Sequence, residues 1–67
     1  MSFESYSKPV EEGKEYEFDI KEISRRGDGV ARVEGFVVFI PQTKPGDHVK
    51  ARVNSVGPRF ATADVVQ

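Results

Sequence analysis

Few groups in this chain could perform acid–base or nucleophilic chemistry. His48 is the single histidine and there is no cysteine. Catalysis by a nucleophile requires a base fixed beside that nucleophile, and the sequence predicts no serine or acidic partner held against His48 on its strand. Three carboxylates, Glu15, Glu17 and Asp19, alternate with apolar residues, which is typical of the solvated face of a sheet. We therefore expect no enzymatic activity, no metal site and no cofactor.

Outward-facing aromatic and basic residues form a more informative set. Alternation places Phe39 on the same face as Arg32, and Phe60 directly follows Arg59. In proteins that bind single-stranded nucleic acid, exposed rings stack on bases while neighbouring cations contact the phosphates. We predict a binding surface formed by these basic and aromatic side chains: Arg25, Arg26, Arg32, Phe39, Lys50, Arg52, Arg59 and Phe60.

Two other interpretations of these residues stay open. Either ring could belong to a second small core beneath the N-terminal segment, and Arg25 and Arg26 could be solvated residues at the end of a strand. Alternatively, the two rings could form an apolar patch, rimmed by arginines, that binds a protein partner. The same side chains serve each interpretation, so the sequence alone does not separate them.

The charge distribution permits a phosphate-facing surface although the 67 residues carry a net charge of -1. Residues 1–23 hold three basic and seven acidic side chains, whereas residues 24–67 hold seven basic and four acidic ones. A basic surface can therefore lie on the later part of the chain. The absence of cysteine fits a reducing compartment, and the polar first residues predict no signal peptide or membrane span, so we expect a cytoplasmic protein.

Alternating apolar residues predict strands and no helix. The first strand runs from Glu15 to Lys21, with a bend or bulge before Ile23, where the alternation slips by one residue. With Glu34 and Gly35 as a hairpin loop, Val33 pairs with Phe36 and Val30 pairs with Phe39. Paired residues share a face of the sheet, so Val30 should face outward together with Phe39. Two later strands run from His48 to Val56 and from Arg59 to Val66, with Val65 directed inward.

Turn signals separate these strands. The glycines of Arg26-Gly27-Asp28-Gly29 are both expected to supply a positive φ, and Pro45-Gly46 and Gly57-Pro58 mark later turns. Five short strands in 67 residues indicate an all-β fold, a small five-stranded OB-like barrel. Residues 1–12 lack any periodicity, so a flexible arm is predicted to extend to residue 12. The domain boundary is placed earlier, with the arm over residues 1–8 and one barrel domain over residues 9–67.

Three motifs together resemble the TRAM domain. They are Gly27-Asp-Gly-Val-Ala-Arg32, Gly35-Phe-Val-Val-Phe-Ile-Pro41 and Lys44-Pro-Gly-Asp-His-Val49. The resemblance covers about residues 9–67 and implies a five-stranded OB-like barrel that binds RNA, a domain usually attached to tRNA methyltransferases or methylthiotransferases. This chain is similar to stand-alone archaeal proteins of the family, which implies an RNA chaperone that acts like bacterial cold-shock proteins.

The expected function is therefore binding of single-stranded RNA with low sequence preference, by a chaperone that melts RNA secondary structure without ATP. The expected partner is RNA, single-stranded or structured, including tRNA, with no membrane, no small-molecule substrate and a monomeric state. The alternative is a protein-interaction module, or an accessory module that presents tRNA to a separate RNA-modifying enzyme.

Overall fold

The computed structural model describes residues 9–66, which form six strands and no helix. The strands are β1 (Glu15–Asp19), β2 (Glu22–Ile23), β3 (Gly29–Val33), β4 (Phe36–Ile40), β5 (His48–Val56) and β6 (Phe60–Val65). The predicted arm over residues 1–8 lies outside the described residues. No helix that could cross a bilayer occurs within residues 9–66.

The six strands form one curled sheet in the order β1-β5-β6-β4-β3-β2. Its two edge strands, β1 and β2, are consecutive in the chain and only Ile20 and Lys21 separate them. The single long strand predicted for residues 15–21 therefore bends where the alternation slips. Its first part pairs with β5 and its second part, β2, pairs with β3. Six strands replace the five predicted, and the all-β, OB-like barrel architecture is confirmed.

The β3–β4 hairpin has the predicted register. Val33 pairs with Phe36, and Val30 pairs with Phe39. Its two loop residues both have a positive φ, 51° at Glu34 and 83° at Gly35. A two-residue loop of this type twists in the same sense as the strands that it joins, so it fixes their register.

The core lies inside the curled sheet and collects the inward residues of five strands and the segment before β1. Its buried members are Val10, Phe18, Ile20, Ala31, Phe36, Val38, Ile40, Ala51, Val53, Ala61 and Ala63. Val10 is 2% exposed, so it packs in the core, and the expectation that the arm extends to residue 12 is wrong. Val65 lies on the inward face, as predicted, because it pairs with the buried Ala51. It is nevertheless 38% exposed, since it is the last residue of β6.

Gly27 and Gly29 serve different purposes, which corrects the expectation that both supply a positive φ. Gly27 has a φ of 95° and open space around it. Gly29 has no positive φ, but a methyl group there would overlap Thr43 Oγ1 and lie 2.9 Å from Ile20 Cγ2. Gly27 therefore permits the turn, whereas Gly29 permits close packing between β3 and the loop that follows β4.

Candidate nucleic-acid interface

A groove of about 300 Å³ lies on the outer surface of the sheet. One wall is the loop between β2 and β3, and the other wall is formed by residues of β4 and β6. The lining residues are Ser24, Arg25, Arg26, Asp28, Phe39, Phe60 and Thr62. Four of the eight residues predicted for the binding surface therefore meet in one groove: Arg25, Arg26, Phe39 and Phe60.

The β2–β3 loop is held by its own backbone and by one hydroxyl group. Ser24 N donates to Asp28 O at 2.7 Å, and Gly27 N donates to Ser24 O at 2.9 Å. The backbone N–H groups of Arg26 and Asp28 both donate to Ser24 Oγ, at 3.2 and 3.1 Å. Arg25 and Arg26 therefore extend from a backbone whose conformation is defined.

The two rings in the groove meet because β4 and β6 pair in parallel. Val37 lies opposite Phe60, and Phe39 lies opposite Thr62. The ring centroids of Phe39 and Phe60 are 6.0 Å apart with an interplanar angle of 68°, which is a favourable edge-to-face arrangement. Phe60 is 46% exposed and Phe39 is half-buried, so the pair presents ring surface to solvent.

The turn before β6 supports the Phe60 ring. Gly57 N donates to Phe60 O at 2.7 Å. A Cβ atom at Gly57 would lie 3.2 Å from Phe60 Cε1, so the ring occupies the space that a side chain would need. Arg59, which directly precedes Phe60, is exposed and its carbonyl oxygen accepts from Val37 N at 3.3 Å.

Val30 is not on an open face, which corrects the prediction from alternation. It lies opposite Phe39 across the hairpin yet is only 5% exposed. The β2–β3 loop and Phe39 border the same groove, so this end of β3 is covered. This small packed region outside the main core agrees with the alternative in which Phe39 has a packing role, and Phe60 remains the more exposed ring.

Among the described residues, the arginines in the groove form no ion pair, whereas two predicted cations outside it do. Arg32 Nη2 donates to both carboxylate oxygens of Glu22, at 3.2 and 3.3 Å. Arg52 Nη2 lies 3.2 Å from Glu15 Oε2. Glutamates of β1 and β2 thus partly neutralise the surface that the sequence predicts to be basic.

Lys50 and Arg52 are also displaced along the sheet from the aromatic pair. Arg52 pairs with Asp64, four residues beyond Phe60 in β6, which corresponds to about 13 Å along the strand. Arg32 is nearer, since its partner Val37 pairs in turn with Phe60. The structure therefore separates the predicted surface into a groove, a flank at Arg32 and Arg59, and a distant part at Lys50 and Arg52.

His48 has two acidic partners, although the sequence predicted none. Its Nδ1 contacts Asp19 Oδ1, and its Nε2 lies 3.0 Å from Glu17 Oε1. The hydrogen bond with Asp19 is the main cause that raises the pKa of His48 above its usual value, and the bond with Glu17 adds to it. The same bond lowers the pKa of Asp19. The antiparallel pairing of β1 with β5 decides this contact.

Within residues 9–66, this cluster is not arranged to hold a metal ion. Both ring nitrogens of His48 are already used by carboxylates, and the described residues contain no group of three or more side chains arranged to hold a metal ion. All three side chains are more than half exposed. The cluster connects β1 to β5 at the surface.

Sequence reasoning missed Ser24, Asp28 and Thr62 as residues of the groove. Ser24 precedes the predicted turn and Asp28 lies within it, and a serine four residues before an aspartate is compatible with a hydroxyl-capped loop. Thr62 has no comparable signal, because its place beside Phe39 depends on the parallel pairing of β4 with β6.

Comparisons with known proteins agree with this fold. The chain is 47% identical over 58 residues to an uncharacterised protein of Methanocaldococcus jannaschii, which covers 87% of this chain and 75% of that protein. The solution structure of a conserved protein of Methanococcus maripaludis matches with a TM-score of 0.86 at 41% identity, covering 100% of both chains.

The chain also resembles one part of larger proteins. It is 41% identical over 59 residues to ribosomal RNA large subunit methyltransferase E of Natronomonas pharaonis, which covers 88% of this chain and 23% of that enzyme. Residues 9–66 match the TRAM domain. The chain therefore belongs to the TRAM domain family, an RNA-binding domain found in RNA-modifying enzymes and translation factors.

Proposed function

We propose that this protein binds single-stranded RNA with low overall sequence preference and acts, as a monomer, as an RNA chaperone that requires no ATP. The observation that carries the proposal is the groove in which the Phe39–Phe60 pair faces Arg25 and Arg26. Rings that stack on bases and cations that contact phosphates are the two elements of binding to single strands.

The exposed ring surface favours unpaired RNA over duplex. A base can stack on Phe60 only when its own stacking partner in a helix has been displaced. A protein that binds the unpaired state shifts the folding equilibrium of a weak hairpin by mass action. No nucleotide hydrolysis is needed for this shift, so the small domain suffices for chaperone activity.

The test is a titration of fluorescently labelled, unstructured RNA followed by anisotropy over a series of salt concentrations. The double variant Arg25→Ala/Arg26→Ala should bind more weakly. Its plot of log affinity against log salt should also be shallower by about 1.4, because each phosphate contact with a single strand contributes about 0.7 to that slope. An affinity of the natural sequence that does not change with salt would exclude phosphate contacts.

A matched control separates the groove from net charge. Lys14 and Lys44 are exposed cations outside the groove, and each lies near an acidic side chain of its own segment. The variant Lys14→Ala/Lys44→Ala removes the same charge as the arginine variant. Binding that falls equally in both variants would contradict a localised phosphate site.

Chaperone activity needs a separate measurement. A hairpin RNA of marginal stability, labelled with a fluorophore and a quencher, should open as the protein is added without ATP. The variant Phe60→Ala should open less of the hairpin at equal concentration because the stacking surface is reduced. An unchanged hairpin population at saturating protein would leave RNA binding intact and refute the chaperone activity.

A second candidate is an accessory module that presents tRNA or another RNA to a separate modifying enzyme. Apolar side chains outside the groove favour it, since Ile23 is 48% exposed and Val66 is 37% exposed. These residues could contact a protein while RNA occupies the groove. A protein partner should remain bound after nuclease treatment and at high salt, whereas an RNA-mediated association should disappear.

A further inference from the structure

The groove contains a carboxylate, which a surface for phosphates alone would not favour. Asp28 lines the groove beside Arg25 and Arg26 and is half-buried. Its backbone holds the loop, through the bonds between Ser24 N and Asp28 O and between Asp28 N and Ser24 Oγ. Within residues 9–66 the carboxylate itself forms no hydrogen bond or ion pair. It is therefore available to a ligand that donates hydrogen bonds.

The bases of RNA differ in the donors that they offer to a carboxylate. Guanine presents two adjacent donors, N1–H and the N2 amino group, on its Watson–Crick edge. Adenine and cytosine present one amino group there, and uracil presents one ring N–H. A carboxylate has two acceptor oxygens and can receive both guanine donors at once. That edge is accessible only in an unpaired base.

Other polar groups of the groove complement the remaining edge of such a base. Ser24 Oγ accepts from two backbone N–H groups, so its own proton remains to be donated. That proton suits the O6 carbonyl of guanine, and Arg25 and Arg26 are left to contact phosphates. The volume of about 300 Å³ lies at the lower end of the range for small-ligand sites, about 300 to 1,000 Å³.

We propose that the groove holds one unpaired guanine, whose ring stacks on the Phe39–Phe60 pair and whose N1–H and N2 amino group donate to the Asp28 carboxylate. This inference rests on the proposed binding of single-stranded RNA and adds a preference at one nucleotide. Neighbouring nucleotides contact the arginines through phosphate, so preference elsewhere in the strand stays low.

The experiment compares labelled oligonucleotides of uridine that carry one central guanosine, inosine, adenosine or uridine. Inosine keeps N1–H and O6 and lacks the N2 amino group, so it removes a single donor. The natural sequence should bind the guanosine strand about tenfold more tightly than the adenosine or uridine strand, the factor expected for one bidentate contact. The inosine strand should fall between them.

The isosteric variant Asp28→Asn tests the carboxylate. It should bind all four strands with similar affinity, while its affinity for the uridine strand stays unchanged or rises because a negative charge is lost. Glu34→Gln is the matched control, because Glu34 is exposed in the β3–β4 turn, outside the groove, and its replacement removes the same charge. This control should keep the guanosine preference. Thermal unfolding should give the same midpoint for Asp28→Asn as for the natural sequence if the fold is intact.

The outcomes separate this inference from the proposed function. Equal binding of all four strands by the natural sequence, or an Asp28→Asn variant that keeps the guanosine preference, would overturn the assignment of Asp28 and leave RNA binding in place. Failure of every strand to bind would overturn the proposed function, and the guanine site with it.

Discussion

The ring of Phe60 meets the ring of Phe39 edge to face, with centroids 6.0 Å apart, across two strands that run parallel. The two rings differ in exposure, because Phe60 is 46% exposed whereas Phe39 is half-buried. The pair therefore has one member that can be removed with little effect on packing and one that contributes to packing. This difference allows binding and stability to be tested separately.

Phe60→Ala should weaken binding to unstructured RNA by about 1 to 3 kcal/mol, the range for loss of one base-stacking ring. The free energy of unfolding should fall by clearly less than the about 3 to 5 kcal/mol lost when a fully buried phenylalanine is truncated, because the ring is 46% exposed. Anisotropy titration and thermal unfolding measure the two quantities. Val65→Ala, an exposed apolar position of the same strand outside the groove, is the control and should bind normally. Unchanged binding by Phe60→Ala would exclude stacking on this ring.

Phe39→Leu should also reduce RNA affinity, because leucine retains apolar volume and lacks an aromatic face. Its effect on stability should stay well below the loss of about 3 to 5 kcal/mol for truncation of a fully buried phenylalanine to alanine. Denaturant unfolding and RNA titration of the same preparation check both statements. Normal RNA binding by a Phe39→Leu variant that unfolds at the natural midpoint would show that the aromatic face is not needed. Phe39 would then be assigned to packing alone, which leucine can also provide.

Gly29→Ala should lower the free energy of unfolding by about 1 to 3 kcal/mol, the usual effect of overpacking. The added methyl group would overlap Thr43 Oγ1, whose hydroxyl donates to Ile40 O at 2.8 Å. The double variant Gly29→Ala/Thr43→Ala removes the overlapping atom and should lose less stability than the sum of the single variants. Strict additivity of the two changes in chemical denaturation would contradict the packing explanation.

Stability should depend on pH through the contact of His48 with Asp19 and Glu17. The hydrogen bond with Asp19, followed by that with Glu17, raises the pKa of His48 from 6.5, so the stabilisation is fully present below pH 6.5 and is lost as pH rises through the raised value. The pKa of Asp19 is lowered from 3.8, mainly by the bond with His48, so its contribution is present above pH 3.8 and is lost as pH falls through the lowered value.

His48→Gln therefore should lower the unfolding midpoint more at about pH 5.5 than at about pH 9. The midpoints of both proteins are measured by thermal unfolding in the same buffers. A difference between the two proteins that is constant across this range would show that the charge of His48 contributes nothing. RNA binding should be the same in both proteins at neutral pH, because His48 lies outside the groove.

Glu22→Gln should tighten RNA binding by about two- to threefold, since it releases Arg32 beside the groove and removes a negative charge. The stability change should be below about 1 kcal/mol, because the pair is exposed. Glu15→Gln releases Arg52, which lies farther along the sheet, and is the matched comparison. Equal tightening by both variants would indicate a general electrostatic effect and would not place Arg32 at the interface.

Local sequence patterns were sufficient to predict those elements whose conformation depends on neighbouring residues. The Glu34-Gly35 loop fixed the register of β3 and β4 because a two-residue turn allows few conformations, and the slip before Ile23 marked the bend between β1 and β2. Where alternation was the only guide, it did not predict burial. Val30 is buried because the outer face is covered there, and Val65 is exposed on the inward face because β6 ends there.

Part of the candidate site could also be predicted from the sequence. Residue type and predicted face single out Phe39, Phe60 and the two loop arginines, and the structure brings these four together. The sequence could not decide whether Lys50 and Arg52 lie beside these four residues, because strand order determines how far apart two outward residues lie. The partners of His48 and Arg52 come from β1, more than two dozen residues away in the chain, and no local pattern encodes that pairing.

The sequence by itself determined an all-β chain, the hairpin, the turns, the resemblance to the TRAM domain and the residue types suited to single-stranded RNA, because these depend on local periodicity, turn chemistry and motif spacing. Only the tertiary structure decided that β4 and β6 pair in parallel, which joins Phe39 to Phe60. It also placed the acidic strand β1 against β5, which pairs Arg52 with Glu15. Contacts between strands far apart in the chain depend on how the whole sheet closes around its core, and that is a property of the complete fold.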